Sequence, residues 1–289
     1  MRRCWLHLLA VSAVLATLLA QARSQSNLGF DYLVLSRQWG PTFCETTTCD
    51  QDTYNLFTIH GLWPNNDNGN HPAFCDDSDR FSRDLLTNQQ LSQMSCEWRS
   101  FKGSNNGFWS YEWSKHGTCA LALFPDENAY FGAGLALNQQ YSINEALANN
   151  GVNPLTATGV SLQTQLLPVL EKEWGVTPQV TCYSGNVFEV RLCVSPDLQA
   201  IDCPSSGGSC SSRNELGLPS GGPTPPTCAT YFADVGAAAT STNTNTPSPG
   251  GRARPPPPPP GSAAHTPAAV QRNAAVALLL AAAVMAVLL

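Results

Sequence analysis

Ten cysteines between Cys44 and Cys228 constrain this chain more than any other feature. An even set over a domain-sized span describes a fold stapled by up to five disulfides in an oxidising compartment. A zinc site is the other use of clustered cysteines, but no paired C-x-x-C spacing occurs, so disulfides rank first. The N-terminus agrees. Met1–Arg3 holds two Arg, an apolar run extends from Trp5 to Leu19, and Ala20-Gln21-Ala22 places small residues at a cleavage site. This is the form of a secretory signal peptide, residues 1–22, whose removal takes Cys4 with it. A membrane anchor is the alternative, and the run is short of the ~20 apolar residues a span needs.

A globular domain is expected over residues 23–235, long enough for one substantial core. Over residues 236–264 the composition shifts to Ala, Thr, Ser, Asn, Gly and Pro. Six prolines, Pro255–Pro260, make this a stiff stalk, about 19 Å of it at 3.1 Å per residue. Residues 265–289 end in sixteen apolar residues, Ala274–Leu289, behind a polar spacer, His265–Asn273, and the small residues Gly261–Ala264. Small residues, spacer and apolar tail in that order signal exchange of the tail for a glycolipid (GPI) anchor. A tail-anchored helix is the alternative, and sixteen residues at ~1.5 Å each fall short of a ~30 Å hydrocarbon core. The expected location is outside the cell or on its outer surface, with a soluble extracellular or a vacuolar or lysosomal protein as the alternative.

Within the domain, strands and helices mix without regular alternation, which indicates an α+β fold. Leu33–Leu35 reads as a buried strand. Asn55–Trp63 reads as another, with Phe57 and Ile59 on one side, Thr58 and His60 on the other, and a sharp turn at Gly61. Helical spacing predicts helices over Asp79–Met94, Tyr111–Leu121, Ile143–Asn149 and Leu162–Trp174, with Gly151 and Gly175 in C-cap positions. Gln179–Tyr183 and Val187–Val194 form a hairpin about Ser184-Gly185-Asn186.

The net charge is −6, and the whole chain holds three lysines, Lys102, Lys115 and Lys172. That excludes tight, sequence-independent nucleic-acid binding, which depends on clustered cations neutralising phosphates. A nucleic-acid substrate would be held briefly, at a local site.

The domain has three histidines, His60, His71 and His116. A lone histidine is more often structural than catalytic. In Tyr111-Glu112-Trp113-Ser114-Lys115-His116, however, Glu112, Lys115 and His116 share one helical face. An ordinary solvated Glu–Lys pair beside a bystander His is the bland reading. A carboxylate, a fixed cation and an imidazole held together suit a reaction at a phosphate. Phe57-Thr58-Ile59-His60-Gly61-Leu62-Trp63-Pro64 supplies a second imidazole from a separate element. Two imidazoles are what cleavage of RNA by its own 2′-hydroxyl requires, one to take a proton and one to give it. DNA lacks that hydroxyl and is expected to be inert. His71, in the polar loop Asn65–His71, reads as an ordinary surface residue.

FTIHGLWP and EWSKHGTCA closely resemble the two active-site segments of the ribonuclease T2 family, and the likeness extends over about Phe30–Cys210. The resemblance implies an antiparallel sheet flanked by helices, and a monomeric endoribonuclease of low base specificity that needs no metal or cofactor. Such an enzyme passes through a 2′,3′-cyclic phosphate to a 3′-phosphate. It implies His116 as base, His60 as acid, and Glu112 and Lys115 as stabilisers of the phosphorane-like transition state. Trp63 would help hold the substrate, and Gln38 and Phe108 match positions that contact bases in some relatives. The position of Tyr111 is often His in the family, where it binds phosphate; Tyr can still donate a hydrogen bond there. Cys75–Cys119, Cys182–Cys210 and Cys193–Cys203 look like family bridges, and Cys44, Cys49, Cys96 and Cys228 are left without assigned partners. A non-catalytic surface protein on the same fold is the rival reading, and it would be marked by loss of His60 or His116; both are present. A metal-dependent hydrolase would need clustered His and carboxylate ligands, which the sequence does not offer.

Overall fold

Alternation along the first strand decides which face of the sheet becomes the core and which becomes the cleft. In the computed structural model, which describes residues 28–50, 56–152, 161–204, 210 and 228, this strand is β1 (Tyr32–Trp39). The expected signal peptide, stalk and C-terminal signal lie outside the described residues. β1 pairs antiparallel with β2 (Phe57–Asn65) on one side and with β4 (Asn186–Val194) on the other. β3 (Gln179–Tyr183) and the short β5 (Ala200–Ile201) both pair with β4, giving the order β2-β1-β4-β3. Ser184 and Gly185 turn the β3–β4 hairpin with φ of 48° and 86°, two successive left-handed residues whose twist matches that of the strands. Cross-strand neighbours share a face. Leu35, Leu62 and Leu192 therefore lie on the core side, while Ser36, Gly61 and Arg191 lie opposite.

The helices are α1 (Gly40–Thr46), α2 (Asn88–Glu97), α3 (Asn105–Lys115), α4 (Glu127–Gln140), α5 (Ile143–Asn149) and α6 (Leu167–Trp174), the last entered through a π turn, Leu162–Leu166. They cover the core face, where Leu33, Leu35, Ile59, Leu62 and Val190 meet Trp98, Trp113, Tyr130, Phe131 and Leu170, all buried. At ~25 cal/mol per Å² of apolar surface, this cluster is the dominant stabilising term.

Two helical expectations need correction, and one long unexpected helix makes a third case. The span Asp79–Met94 is not one helix: Arg83–Leu85 makes a 3-10 turn, and α2 starts after Thr87, whose side chain forms a reciprocal capping box with Gln90. The span Tyr111–Leu121 is displaced. α3 starts at Asn105, capped by Ser104, and stops at Lys115, with a separate 3-10 turn over Gly117–Ala120. A Cβ at Gly117 would overlap the Trp113 ring, so only glycine lets the chain fold back against its own helix there. The third case is α4, fourteen residues long, for which the spacing predicts nothing. Its central Gly132 and Gly134 count against a helix by propensity. At Gly134 the reason is packing, since a Cβ would lie 2.5 Å from the Trp98 ring.

Five disulfides close the fold. Cys75–Cys119, Cys182–Cys210 and Cys193–Cys203 are formed, and the four unassigned cysteines pair as Cys44–Cys49 and Cys96–Cys228. Cys75–Cys119 pins the loop after β2 to the turn that follows His116.

Candidate active site

The site begins with one extra residue in β2. Arg37 of β1 pairs with Ile59 and the preceding residue, Ser36, pairs with Gly61, so His60 is the unpaired residue of a β-bulge. A bulge changes which face later side chains occupy. Ile59 and Leu62 both reach the core, while His60 and Trp63 share the opposite face with ring centroids 5.0 Å apart. A regular strand would have placed residues three apart on opposite sides. The expected sharp turn at Gly61 is therefore a bulge within a strand that runs on to Asn65. Two buried side chains hold it from below: Trp98 Nε1 donates to the His60 carbonyl at 2.9 Å and the Tyr130 hydroxyl to the Leu62 carbonyl at 2.7 Å.

His60 has a partner that sequence reasoning missed. Its Nδ1 lies 2.5 Å from Glu189 Oε1, and the other oxygen of Glu189 accepts from Arg191 Nη2 at 2.6 Å and Nε at 3.0 Å. Both residues are on β4, two apart and so on one face, and Arg191 also stands 5.4 Å over the Trp63 ring. Burial pulls the His60 pKa down, but the hydrogen bond and charge of Glu189, with Glu112 adding, outweigh it and the net shift is upward. Glu189 itself is pushed up by burial and pulled further down by His60 and Arg191, so its carboxyl stays ionised.

His116 sits in the opposite environment. It caps the C-terminus of α3, its N–H donating to the Glu112 carbonyl at 2.9 Å, and its ring stacks 5.3 Å from Trp63. The ring is buried, with no partner for Nδ1 among the described residues. Burial, then Lys115, His60 and His71, lower its pKa to about 3. Trp63 thus touches both imidazoles, and its Nε1 donates to Glu112 Oε2 at 3.0 Å. A Cβ at Gly61 would overlap both groups of that hydrogen bond, so the glycine of the His-Gly pair is a space requirement. Burial raises the Glu112 pKa against the opposing pull of His60, Trp63 and Lys115.

The remaining candidates divide. Phe108, one turn before Glu112, lies 6.0 Å from the His60 ring. Tyr111 is half exposed with Lys115 Nζ 5.4 Å over its ring. Gln38 is on the site face of β1, level with Thr58 and Glu189, but it is buried, with no partner for Oε1 among the described residues. His71 is an exposed loop residue. The clue to Glu189 in the sequence was weak: alternation in Val187–Val194 puts an acid and an Arg on one face of a strand.

Two imidazoles on separate elements and a buried carboxylate around one indole, with Lys115 at the end of the helix that carries Glu112, form an acid–base site with a cation at its edge. A family model, that of the ribonuclease T2 family, matches residues 30–203. The chain belongs to the ribonuclease T2 family. Ribonuclease DdI of Dictyostelium discoideum is 31% identical over 214 residues, 70% of this chain and 95% of that protein. The extracellular ribonuclease LE of Solanum lycopersicum is 32% identical over 203 residues, 65% of this chain and 86% of the relative. Among solved structures, RNase NT in complex with 5′-AMP aligns with a TM-score of 0.55 at 30% identity, covering 66% of this chain and 98% of that one. RNase MC1, as a mutant with 5′-GMP, aligns with a TM-score of 0.55 at 27% identity over 66% and 99%. This chain is accordingly an enzyme of the T2 family, an endoribonuclease with RNA as substrate.

Proposed function

We propose that the enzyme cleaves RNA by transphosphorylation, with little base preference, using His116 as base and His60 as acid. The observation that carries this reading is the opposite electrostatic setting of two imidazoles against one tryptophan. His116, beside Lys115 and with no partner on its Nδ1 among the described residues, rests neutral and is ready to accept the 2′-hydroxyl proton. His60, on Glu189, rests charged and is ready to protonate the departing 5′-oxygen. The incoming phosphate adds negative charge near both rings, which favours protonation of His116 as the proton leaves the 2′-oxygen. Lys115 meets the charge that develops on the phosphorane-like oxygens. Glu112 acts from beneath, fixing the indole of Trp63 against the substrate.

The product is a 2′,3′-cyclic phosphate. In the second step the roles reverse: His60, now neutral, takes a proton from water, and His116 returns one to the 2′-oxygen, leaving a 3′-phosphate. The nucleophile of the first step belongs to the substrate and that of the second is a water deprotonated by His60, so the two imidazoles serve both steps without a metal or cofactor. The expected setting is extracellular, as a monomer on the outer leaflet through a lipid anchor at the end of the stalk. Treatment of expressing cells with a phosphatidylinositol-specific phospholipase is expected to release ribonuclease lacking Ala274–Leu289; a mature chain still ending at Leu289 defeats the anchor.

RNA digested by the purified protein in chelator is expected to yield cyclic phosphate ends and then 3′-phosphates. Activity lost in EDTA and restored by a divalent metal, or DNA cut at a comparable rate, would contradict the mechanism.

A further inference from the structure

We infer that Phe74 and Tyr111 form a stacking platform for an unpaired nucleobase on the 5′ side of the scissile phosphate. This rests on the ribonuclease reading above and names a subsite within it. Large hydrophobic side chains are exposed at few places in the described residues, and Phe74 and Tyr111, each 50% exposed, are neighbours. Their rings meet edge to face, 6.1 Å apart. Both are anchored. Tyr111 belongs to α3, and the Phe74 N–H donates to the Lys115 carbonyl at 3.0 Å, next to Cys75 of the Cys75–Cys119 bridge. Phe74 is held at φ 54°, a left-handed conformation that a bulky residue adopts only when its surroundings impose it. Holding an aromatic ring half in solvent in such a conformation costs stability and leaves much of its apolar surface uncovered, which points to a ligand face.

Position identifies the occupant. Lys115 Nζ lies over the Tyr111 ring, and His116 is the next residue, so the platform adjoins the group that takes the 2′-hydroxyl proton. Phe108 lies instead against His60, which serves the departing 5′-oxygen. A strand crossing the site therefore leads its 5′ segment past Tyr111 and Phe74 and its 3′ segment past Phe108. The charge supports stacking over phosphate pairing. A chain of net charge −6 with three lysines has few cations to spare for the backbone, and base–aromatic contact holds any base.

The test uses DNA oligonucleotides carrying one ribonucleotide, which fixes the cleavage point. The base is removed in turn from the attacking nucleotide, from its 5′ neighbour and from the nucleotide 3′ of the cut. The full-length protein is expected to lose about five- to tenfold in kcat/KM when one of the two 5′ bases is absent, as for a half-exposed stack. Phe74→Ala and Tyr111→Ala should each erase that discrimination, Phe74→Trp and Tyr111→Phe should keep it, and removal of the 3′ base should affect all variants alike. Equal discrimination in Phe74→Ala and the unsubstituted protein overturns the platform. So does a Tyr111→Phe variant as impaired as Tyr111→Ala, which would make the hydroxyl a phosphate donor. Failure to cut an all-RNA control would defeat the ribonuclease reading itself, a separate result.

Discussion

The sheet and the end of α3 each bring one imidazole to Trp63, and they treat it differently. On the sheet, His60 is placed by a bulge and faces a carboxylate that is itself gripped by Arg191. At the helix end, His116 is buried beside a lysine, with no carboxylate on its Nδ1 among the described residues. The same side chain is thereby shifted up in pKa in one place and down in the other, the contrast on which the proposed acid and base roles rest. Neighbours and burial assign the roles, as they do wherever paired titratable groups are driven apart.

Removing either ring is expected to have the largest effect. His116→Ala and His60→Ala should each lower kcat/KM by 10²–10⁴-fold or more, on the order seen for acid–base groups. Near-normal turnover in either variant removes that residue from the comparison. Lys115→Ala comes next, with a loss of about 10²–10³-fold typical of one oxyanion donor. The loss should fall on kcat more than on KM, because the cation answers charge that appears only in the transition state. A change confined to KM would make Lys115 a docking charge.

Glu189→Gln sharpens the contrast on the sheet side. Glu189 raises the His60 pKa, so the acid form persists above the ordinary histidine range and is lost as pH rises through the raised value. Without that charge the descending limb of the pH profile should move to lower pH, and each unit of movement costs about tenfold at pH above both values. The ascending limb belongs to His116 and should stay near its place. Arg191→Met should give the smallest effect and the opposite sign, because Arg191 opposes protonation of His60. Limbs that stay fixed in both variants would reduce Glu189 and Arg191 to scaffolding.

His60, Trp63, Glu112 and His116, which the fold brings together, were legible as a group because they sit in two short, uninterrupted segments, His60–Trp63 and Glu112–His116. Glu189 was not, since it lies 129 residues from His60 and reaches it only through the pairing of β4 with β1 and of β1 with β2. The shared face of His60 and Trp63 was also hidden, because a strict two-residue period separates them and only the bulge reunites them. The α+β class and the β3–β4 hairpin followed from alternation and turn chemistry. α4 did not, since Gly134 serves the Trp98 ring rather than its own helix. Of the disulfides, Cys96–Cys228 spans 132 positions, a closure that spacing alone cannot indicate.

The central claim, that His60 rests charged where His116 rests neutral, is tested most directly by titrating both rings by NMR. Histidine-labelled protein, assigned with His60→Ala and His116→Ala, would be followed in the absence of substrate. His60 should titrate above the ordinary value of 6.5, and His116 should stay neutral down to about pH 3. Two rings titrating together near 6.5, or in the reverse order, would contradict the account.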